Sequence, residues 1–414
     1  MYDLHLNAEQ IEFRDTVRDF VEREVKPTAL NPDRLEGYAP RMLHEPLAQA
    51  SRMGLRTLAL SEELGGAGAD NLTCCIVMGE LAAGDAGIAA VLAQTSMLAH
   101  VLFDQMMTPG QRDRYLPQFL TDDSCHLAFA PHAPGPDVEW CYHRPSITNS
   151  THGATALRAS NGDWVVNGDT KFVANAPIAK LIAVQTRTDA GTPGSDGVTT
   201  LLLPRDTPGL TVRESDEEPV WYHGTRGTLV FKDCRAPQIN VLEGPMDALR
   251  AGAAVLGSGA LQWEAINLGI GRAAHEAALA HAQLRIQGGR RIIEHEGVGM
   301  LLAEMAVKLE AGRSMIWQAA WAADHPDACA GRSLPDLPLQ TITHVLVSEI
   351  AYEVALKAAE VFGAMGILRD MPLHRYVHDA SIFLHAGHGI TAAKLQIAER
   401  LDGFQRRSIA PGAA

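Results

Sequence analysis

The sequence predicts an α+β protein of three parts: an all-α N-terminal domain (1–124), a middle antiparallel β barrel or sandwich (125–244) and a C-terminal four-helix bundle (245–414). Three observations support this prediction. Apolar residues recur at helical spacing in the front part, short strand-like segments separated by turn residues follow, and long blocks rich in Ala, Leu and Glu make up the rear.

The front third is predicted to be helical. An amphipathic helix begins after the capping residue Asn7 and is expected to stop at Pro27. A second helix, near residues 46–53, leads to the glycine-rich run 65–68, which forces a turn before an apolar helix over residues 72–86.

The middle third changes to short β segments. Residues 163–176 read DWVVNGDTKFVANA, and the Asn167-Gly168 pair predicts a hairpin turn between two strands. Similar segments continue to about residue 244 with no helical pattern between them, which is typical of a compact antiparallel barrel or sandwich.

Helical periodicity returns after residue 245. The blocks 247–287, 297–323, 338–362 and 380–401 are long and joined by short links, a pattern that predicts a bundle. Their alanine-rich faces suit close helix packing, including packing between subunits.

Charge and cysteine usage argue against several classes of partner. The formal net charge is -14, and no cluster of Lys or Arg suggests a nucleic-acid or anionic-membrane surface. The first 15 residues are polar and acidic, and no stretch approaches the roughly 18 uninterrupted apolar residues that a membrane span needs. The six cysteines lack metal-ligand spacing. We therefore expect a cytoplasmic protein with no metal site and with neither nucleic acid nor membrane as a partner.

Four strings in order along the chain resemble motifs of a known family. They are SEELGGAG (61–68), MGELAAGDAG (78–87), WVVNGDTKFVANA (164–176) and VFGAMGILRDMPLHRYVHDASI (361–382). Together with the order of the domains, they resemble the acyl-CoA dehydrogenase family along essentially the whole chain. The resemblance implies the acyl-CoA dehydrogenase fold, FAD as cofactor, and a homotetramer or homodimer. It also implies desaturation of an acyl thioester, with an electron-transfer flavoprotein or another acceptor as the electron partner.

The family's reaction needs a carboxylate close to the α-carbon of the thioester. In most members this glutamate follows the Arg-Asp-Ala helix start, but the matching distance from Asp379 falls on Gly387. A branch resembling isovaleryl-CoA and long-chain dehydrogenases takes its glutamate from the first bundle helix and keeps a small residue at the later position. The string QWEAINLGIGRA places Glu264 in that register, so Glu264 is the predicted base. Gly387 and His388 are the predicted neighbours of the substrate, and His388 could carry protons.

The same resemblance assigns the cofactor positions. FAPHAPGPDV corresponds to a flavin-binding string of the family, and Arg285 matches the arginine that reaches the FAD pyrophosphate across a subunit contact. Phe172 and Ala174 stand where Trp and Thr are usual. The full set is Leu127, Phe129, Ala130, Phe172, Ala174, Arg285, Glu296, Glu360, Gly363, Ala364 and Gly389.

Substitutions at these positions leave three functions open. The first is desaturation of a branched, cyclic or bulky acyl thioester. The acyl group could be carried by CoA or by an acyl carrier protein, because Ala265 replaces an arginine that commonly follows the base in the family. A second is a flavin monooxygenase or lyase-like variant of the same fold, suggested by Ala174 and by His385 and His388. The third is a degenerate partner subunit of a heteromeric enzyme.

Overall fold

The chain folds as helices, then a sheet, then helices, in the predicted order. The structure, a computed structural model, describes residues 5–30, 42–131, 153–159, 161–188, 198–214, 223–242, 261–325, 334, 336–368, 370–385 and 389–402.

The first domain is helical, as predicted. Asn7 caps the first helix in a reciprocal capping box: Gln10 N donates to Asn7 Oδ1 at 2.8 Å, and Asn7 N donates to Gln10 Oε1 at 3.1 Å. The helices of this domain are α1 (Ala8–Phe20), α2 (Lys26–Ala29), α3 (His44–Arg52), α4 (Asn71–Ala82), α5 (Ala86–Ala99) and α6 (Pro109–Thr121).

Pro27 does not end the first helix, and that prediction was wrong. A π turn, Val21–Val25, joins α1 to α2, and Lys26 N bonds to Val21 O five residues earlier. Pro27 therefore lies in the first turn of α2, where its missing N–H leaves no helical bond unmade. The helical backbone continues to Ala29.

The predicted helix over residues 72–86 is present as α4 but ends at Ala82, and a separate helix, α5, begins at Ala86. Asp85 adopts an extended conformation and accepts a bond from Ile88 N at 2.9 Å, so it caps α5. Helix α5 continues through a second π turn, and the segment Ala86–Met106 is long and apolar enough to cross a membrane. However, 89% of its most apolar window is buried inside the protein, as expected for a core helix.

The middle domain is a mixed sheet, with strand order β6-β7-β3-β2-β4-β5-β8. Most neighbours are antiparallel, as predicted, but β1 and β2 pair with β4 in parallel. Strand β1 follows helix α6 and is not joined to β4 by a tight hairpin, so the two strands can pair in parallel. The strands are β1 (His126–Ala130), β2 (Thr155–Arg158), β3 (Trp164–Ala174), β4 (Ala179–Arg187), β5 (Val198–Pro204), β6 (Leu210–Glu214), β7 (Arg226–Ala236) and β8 (Val241–Leu242).

The predicted hairpin at Asn167-Gly168 was wrong, because both residues lie inside the single long strand β3. Gly168 has φ 109°, and the register with β7 shifts beside it, so the pair forms a β-bulge. A Cβ at Gly168 would lie 2.7 Å from Gly153 O. Asn167 Oδ1 accepts from Asp233 N at 2.8 Å, which fixes the bulge against β7.

The rear domain is a bundle built around its first helix. Gly269 lets that helix approach α4 closely, since a Cβ there would lie 2.4 Å from Gly79 O. The predicted residues 247–260 lie outside the described residues, and the block 380–401 is divided between two helices. The elements are α7 (Leu261–Leu284), β9 (Ile286–Gln287), β10 (Arg290–Arg291), α8 (Glu296–Asp324), α9 (Leu339–Phe362), α10 (Leu373–His385) and α11 (Gly389–Asp402).

A buried carboxylate joins the front domain to the bundle. Glu80 on α4 accepts two bonds from Arg18 at 2.8 and 3.1 Å and two from Arg272 on α7 at 2.7 Å each. Burial alone would raise the pKa of Glu80, but the hydrogen bonds and charges of the two arginines outweigh it and hold the pKa below its usual value.

Replacing Glu80 by glutamine is expected to lower the free energy of unfolding at pH 7 by about 2–3 kcal/mol. Arg272 would keep only the 3.6 Å contact with Glu276, whereas Arg18 is half-exposed and loses less. A depressed carboxyl pKa gives stability that is complete above the unfolded value of about 4 and is lost as the pH falls through the folded value. Urea unfolding compared at pH 7 and at about pH 2–3 should therefore show a larger loss of stability on acidification in the wild type than in the variant. The exposed Glu349→Gln serves as control, and equal losses in all three proteins would contradict the assignment.

Candidate active site

Glu264 lies in the first described turn of α7, and its residue is 4% exposed. Its Oε1 contacts Nδ1 of His344 on α9 at 2.7 Å. Burial alone would lower the pKa of His344, but the hydrogen bond and charge of Glu264 outweigh it and raise the pKa. Glu264 Oε2 is buried without a hydrogen-bond partner among the described residues. One carboxylate oxygen is thus held and the other is free to accept a proton.

Further polar groups lie along the same α7–α9 contact. Asn267 and Ser348 are both fully buried, one turn along their helices from Glu264 and His344. The amide atoms of Asn267 and the hydroxyl of Ser348 find no hydrogen-bond partner in the described part of the chain. Because an unpaired buried polar group costs about 1–3 kcal/mol, such a cluster is typical of a functional or hydrated site.

A cavity of about 410 Å³ is lined by neighbours of this pair along α7 and α9. Leu261 and Gln262 form its wall on α7, less than one turn before Glu264, and Gln340 forms its wall on α9, one turn before His344. Glu264 itself does not line the cavity. The remaining lining residues come from the front domain and the end of α8: Ala59, Ser61, Gly68, Ala69, Asp70, Asn71, Cys74, Met97, His100, Val101 and Asp324.

The three predicted cofactor positions on β1 are buried. Leu127 is 0% exposed, Phe129 5% and Ala130 0%. Leu127 and Phe129 pack into the core shared with α5 and α6, whereas Ala130 packs inside the sheet. Their side chains are therefore committed to packing, so any ligand contact on this strand would come from its backbone.

The end of β3 is strained and open. Phe172 has φ 59°, rare for a residue with a Cβ, and the register with β7 shifts around it. Its ring is 59% exposed and offers a stacking surface. Ala174, two residues on, faces the core that α5 shares with the bundle. Backbone strain of this kind is characteristic of functional sites.

Asn175, which sequence reasoning did not single out, holds this strand end in place. Its side-chain amide donates to Val91 O on α5 at 3.2 Å and to Leu127 O on β1 at 3.3 Å. Asn175 has φ 61°, a conformation that asparagine tolerates better than most residues. Its position near the end of the string KFVANA, beside the predicted cofactor residue Ala174, was the feature of the sequence that could have identified it.

A neutral histidine lies at the start of β1. His126 is 3% exposed, and burial lowers its pKa to about 3. Its Nδ1 contacts Thr95 Oγ1 on α5 at 3.4 Å. This imidazole is uncharged at neutral pH.

The bundle forms a second cleft, of about 730 Å³. It brings together four of the predicted cofactor residues, Arg285, Glu360, Gly363 and Ala364. Glu360 bonds to Lys357 Nζ at 2.9 Å, which offsets its negative charge. Gly363 has φ 59°, and no atom lies within 4 Å of an added Cβ, so its backbone is open to a ligand. A cation, exposed backbone and this volume fit an elongated anionic cofactor such as FAD.

The other predicted residues are more scattered. Glu296 is exposed at the start of α8, outside the lining of the second cleft, and Gly389 begins α11. His385 is exposed at the end of α10, while Gly387 and His388 lie outside the described residues. Among the residues that the structure describes, no group of three or more His, Cys, Asp or Glu could hold a metal ion.

Comparison with family models matches all three domains. The N-terminal, middle and C-terminal domains of acyl-CoA dehydrogenase match residues 7–123, 146–234 and 251–401. An acyl-CoA dehydrogenase of Bacillus subtilis is 27% identical over 380 residues, 92% of this chain and 94% of that protein. The isobutyryl-CoA dehydrogenase of Dictyostelium discoideum is 26% identical over 378 residues, 91% of this chain and 85% of that protein.

Solved structures share the fold. Butyryl-CoA dehydrogenase of Megasphaera elsdenii has a TM-score of 0.81 at 24% identity, covering 97% of this chain and 100% of that one. PigA in complex with FAD has a TM-score of 0.78 at 23% identity, covering 97% and 99%.

The matches to all three domain models and to the related dehydrogenases place this chain among flavin oxidoreductases acting on CH–CH donors. The chain belongs to the acyl-CoA dehydrogenase family, whose members depend on FAD.

Proposed function

We propose that this protein desaturates a branched, cyclic or otherwise bulky acyl thioester at its α,β bond, with Glu264 as the base. The observation that carries the proposal is the buried carboxylate with one oxygen bound to His344 and the other unpartnered. The isobutyryl-CoA dehydrogenase of Dictyostelium discoideum, among the related proteins, is named for a branched substrate.

The protein's own residues supply proton transfer and positioning. Glu264 Oε2 takes the α-proton as that C–H bond breaks, and the electron pair forms the double bond while the β-hydrogen leaves as hydride. His344 fixes the orientation of the carboxylate through Oε1, and Glu264 in turn raises the pKa of His344. When bound, FAD supplies the hydride acceptor.

The ring and the phosphates of FAD are proposed to contact different surfaces. Phe172 and the β1 backbone would hold the ring, and Arg285 with the Gly363–Ala364 backbone would hold the phosphates of a cofactor from a second subunit. This arrangement supports a homodimer or homotetramer. Electrons would then pass to an electron-transfer flavoprotein or a similar acceptor, in the cytoplasm.

The test is anaerobic flavin reduction. The purified protein should be yellow, with about one FAD per chain, and one of isobutyryl-, isovaleryl-, cyclohexanecarbonyl- or butyryl-CoA, or the same acyl groups on a carrier protein, should bleach the flavin absorbance. A colourless protein that becomes active only with a homologous subunit would favour the degenerate-partner function. Turnover that requires O2 and external reduced flavin would favour the monooxygenase.

Replacing Arg285 by glutamine is expected to weaken FAD binding about tenfold or more, because a charge-assisted phosphate contact contributes about 1.5–3 kcal/mol. FAD retained after gel filtration, measured by absorbance at 450 nm, checks this. Arg313→Gln on α8, whose partner Glu310 is exposed, is the control. If Arg285→Gln retains as much FAD as the wild type, the second cleft is not part of the cofactor site.

A further inference from the structure

Among the described residues that line the 410 Å³ cavity, one carries a buried polar atom without a hydrogen-bond partner. Gln262 is 5% exposed and lines the cavity, and its Oε1 has no hydrogen-bond partner among the described residues. A buried acceptor left unpaired costs about 1–3 kcal/mol, so its presence in a cavity wall favours a partner that arrives with the ligand.

The acidic and imidazole side chains at the cavity already have hydrogen-bond partners within the protein. Asp324 accepts from the backbone and side-chain amides of Asn71 at 3.1 and 2.7 Å, and Asp70 accepts from Thr73 N at 2.7 Å. His100 Nδ1 contacts Asp104 Oδ2 at 2.7 Å. Asp70, Asn71 and Asp324 are exposed and form an acidic rim, while the floor below is formed by apolar side chains of α4, α5 and α7.

The negative charge of the rim determines which ligands the cavity favours. Asp70 and Asp324 repel a carboxylate and favour a hydrogen-bond donor, whether neutral or cationic. A volume of about 410 Å³ lies within the range of ligand pockets, roughly 300–1,000 Å³. Leu261 lines the same cavity and lies one turn before Glu264 on the same side of α7, so a thioester reacting at Glu264 can extend its acyl group into the cavity.

We propose that this cavity receives the far end of the acyl group and that Gln262 Oε1 accepts a hydrogen bond from a hydroxyl or amino group on it. The substrate class is therefore a hydroxyacyl or aminoacyl thioester and not a dicarboxylic one, and this assignment rests on the proposed desaturation at Glu264. Gln262 acts as a specificity-determining residue.

The experiment measures binding and reaction separately with probes of one chain length. Calorimetry gives the Kd of five ligands: 4-, 5- and 6-hydroxyhexanoyl-CoA, hexanoyl-CoA and hexanedioyl-CoA. Each is measured with the wild type, with Gln262→Met and with the control Gln283→Met, which lies at the far, exposed end of α7. At least one hydroxyacyl-CoA should bind the wild type and the control about tenfold more tightly than hexanoyl-CoA, with hexanedioyl-CoA weakest. Gln262→Met should lose the preference but keep its thermal stability, because it removes an unpaired oxygen.

Two outcomes would overturn the assignment: hexanoyl-CoA binding as tightly as every hydroxyacyl-CoA, or a preference that survives in Gln262→Met. Anaerobic bleaching, recorded with the same thioesters, separates the two proposals. If the protein binds hydroxyacyl-CoA more tightly than hexanoyl-CoA but no thioester bleaches the flavin, desaturation is contradicted and the subsite assignment is supported. Bleaching without discrimination would count against the subsite alone.

Discussion

Replacing Glu264 by glutamine is expected to slow flavin reduction by a saturating acyl thioester about a thousandfold, with unchanged FAD content. A positioned general base contributes typically 10²–10⁴-fold, and glutamine keeps the size and the contact with His344 but cannot take the proton. FAD content should not change because the second cleft is lined by other residues. Stopped-flow absorbance at 450 nm without oxygen measures the rate.

Two further variants separate chemistry from structure. Glu264→Asp keeps the carboxylate but shortens the side chain, so it should retain more activity than Glu264→Gln. Glu349→Gln removes an exposed carboxylate on α9 that pairs with Lys394, and it should behave like the wild type. Reduction of the flavin at the normal rate in Glu264→Gln would mean that another group removes the proton.

Replacing Asp85 by asparagine is expected to lower the free energy of unfolding by about 3–5 kcal/mol, the usual cost of breaking a buried ion pair. Asp85 is 1% exposed and contacts His223 of the middle domain, and Arg375 of the bundle lies 3.9 Å away. Burial alone would raise the pKa of Asp85, but His223 and Arg375 outweigh it and lower the pKa. The carboxylate therefore joins all three domains.

The sign of this effect follows from the lowered pKa. The stability is fully present above the unfolded value of about 4, so urea unfolding at pH 7 measures the whole of it. Asp85→Asn keeps an acceptor for Ile88 N, whereas Asp85→Ala also loses the cap and should cost about 1 kcal/mol more. The exposed Asp113→Asn is the control. A loss below about 1 kcal/mol in Asp85→Asn would show that the three domains do not depend on this contact.

The sequence was sufficient to predict those features of the fold that depend on residues close together in the chain. Asn7 caps α1 because its partner is three residues away, and the change from helical to β patterning marks the middle domain. The same local reasoning misread Gly168, since a glycine with positive φ suits both a hairpin turn and a bulge. Only the partner strand β7, more than 50 residues later in the chain, decides between them.

Arg285, Glu360, Gly363 and Ala364, which the resemblance assigns to the cofactor, line one cleft, although Arg285 is more than 70 residues before the other three. Periodicity could not reveal the partner of Glu264, because His344 lies 80 residues away on another helix. Asp85 and His223 are separated by 138 residues. Such pairs are set by the packing of whole helices and not by local propensity, so they need the folded structure.

The most direct test of the central claim is the deuterium isotope effect on flavin reduction in the wild-type protein. Acyl-CoA labelled with deuterium at the α-carbon, and separately at the β-carbon, is mixed with the enzyme without oxygen. If a buried carboxylate removes the α-proton as the β-hydride leaves, both labels should slow the bleaching by a primary isotope effect. Bleaching that neither label slows, or no bleaching by any acyl thioester, would contradict the assignment of this protein as a desaturase.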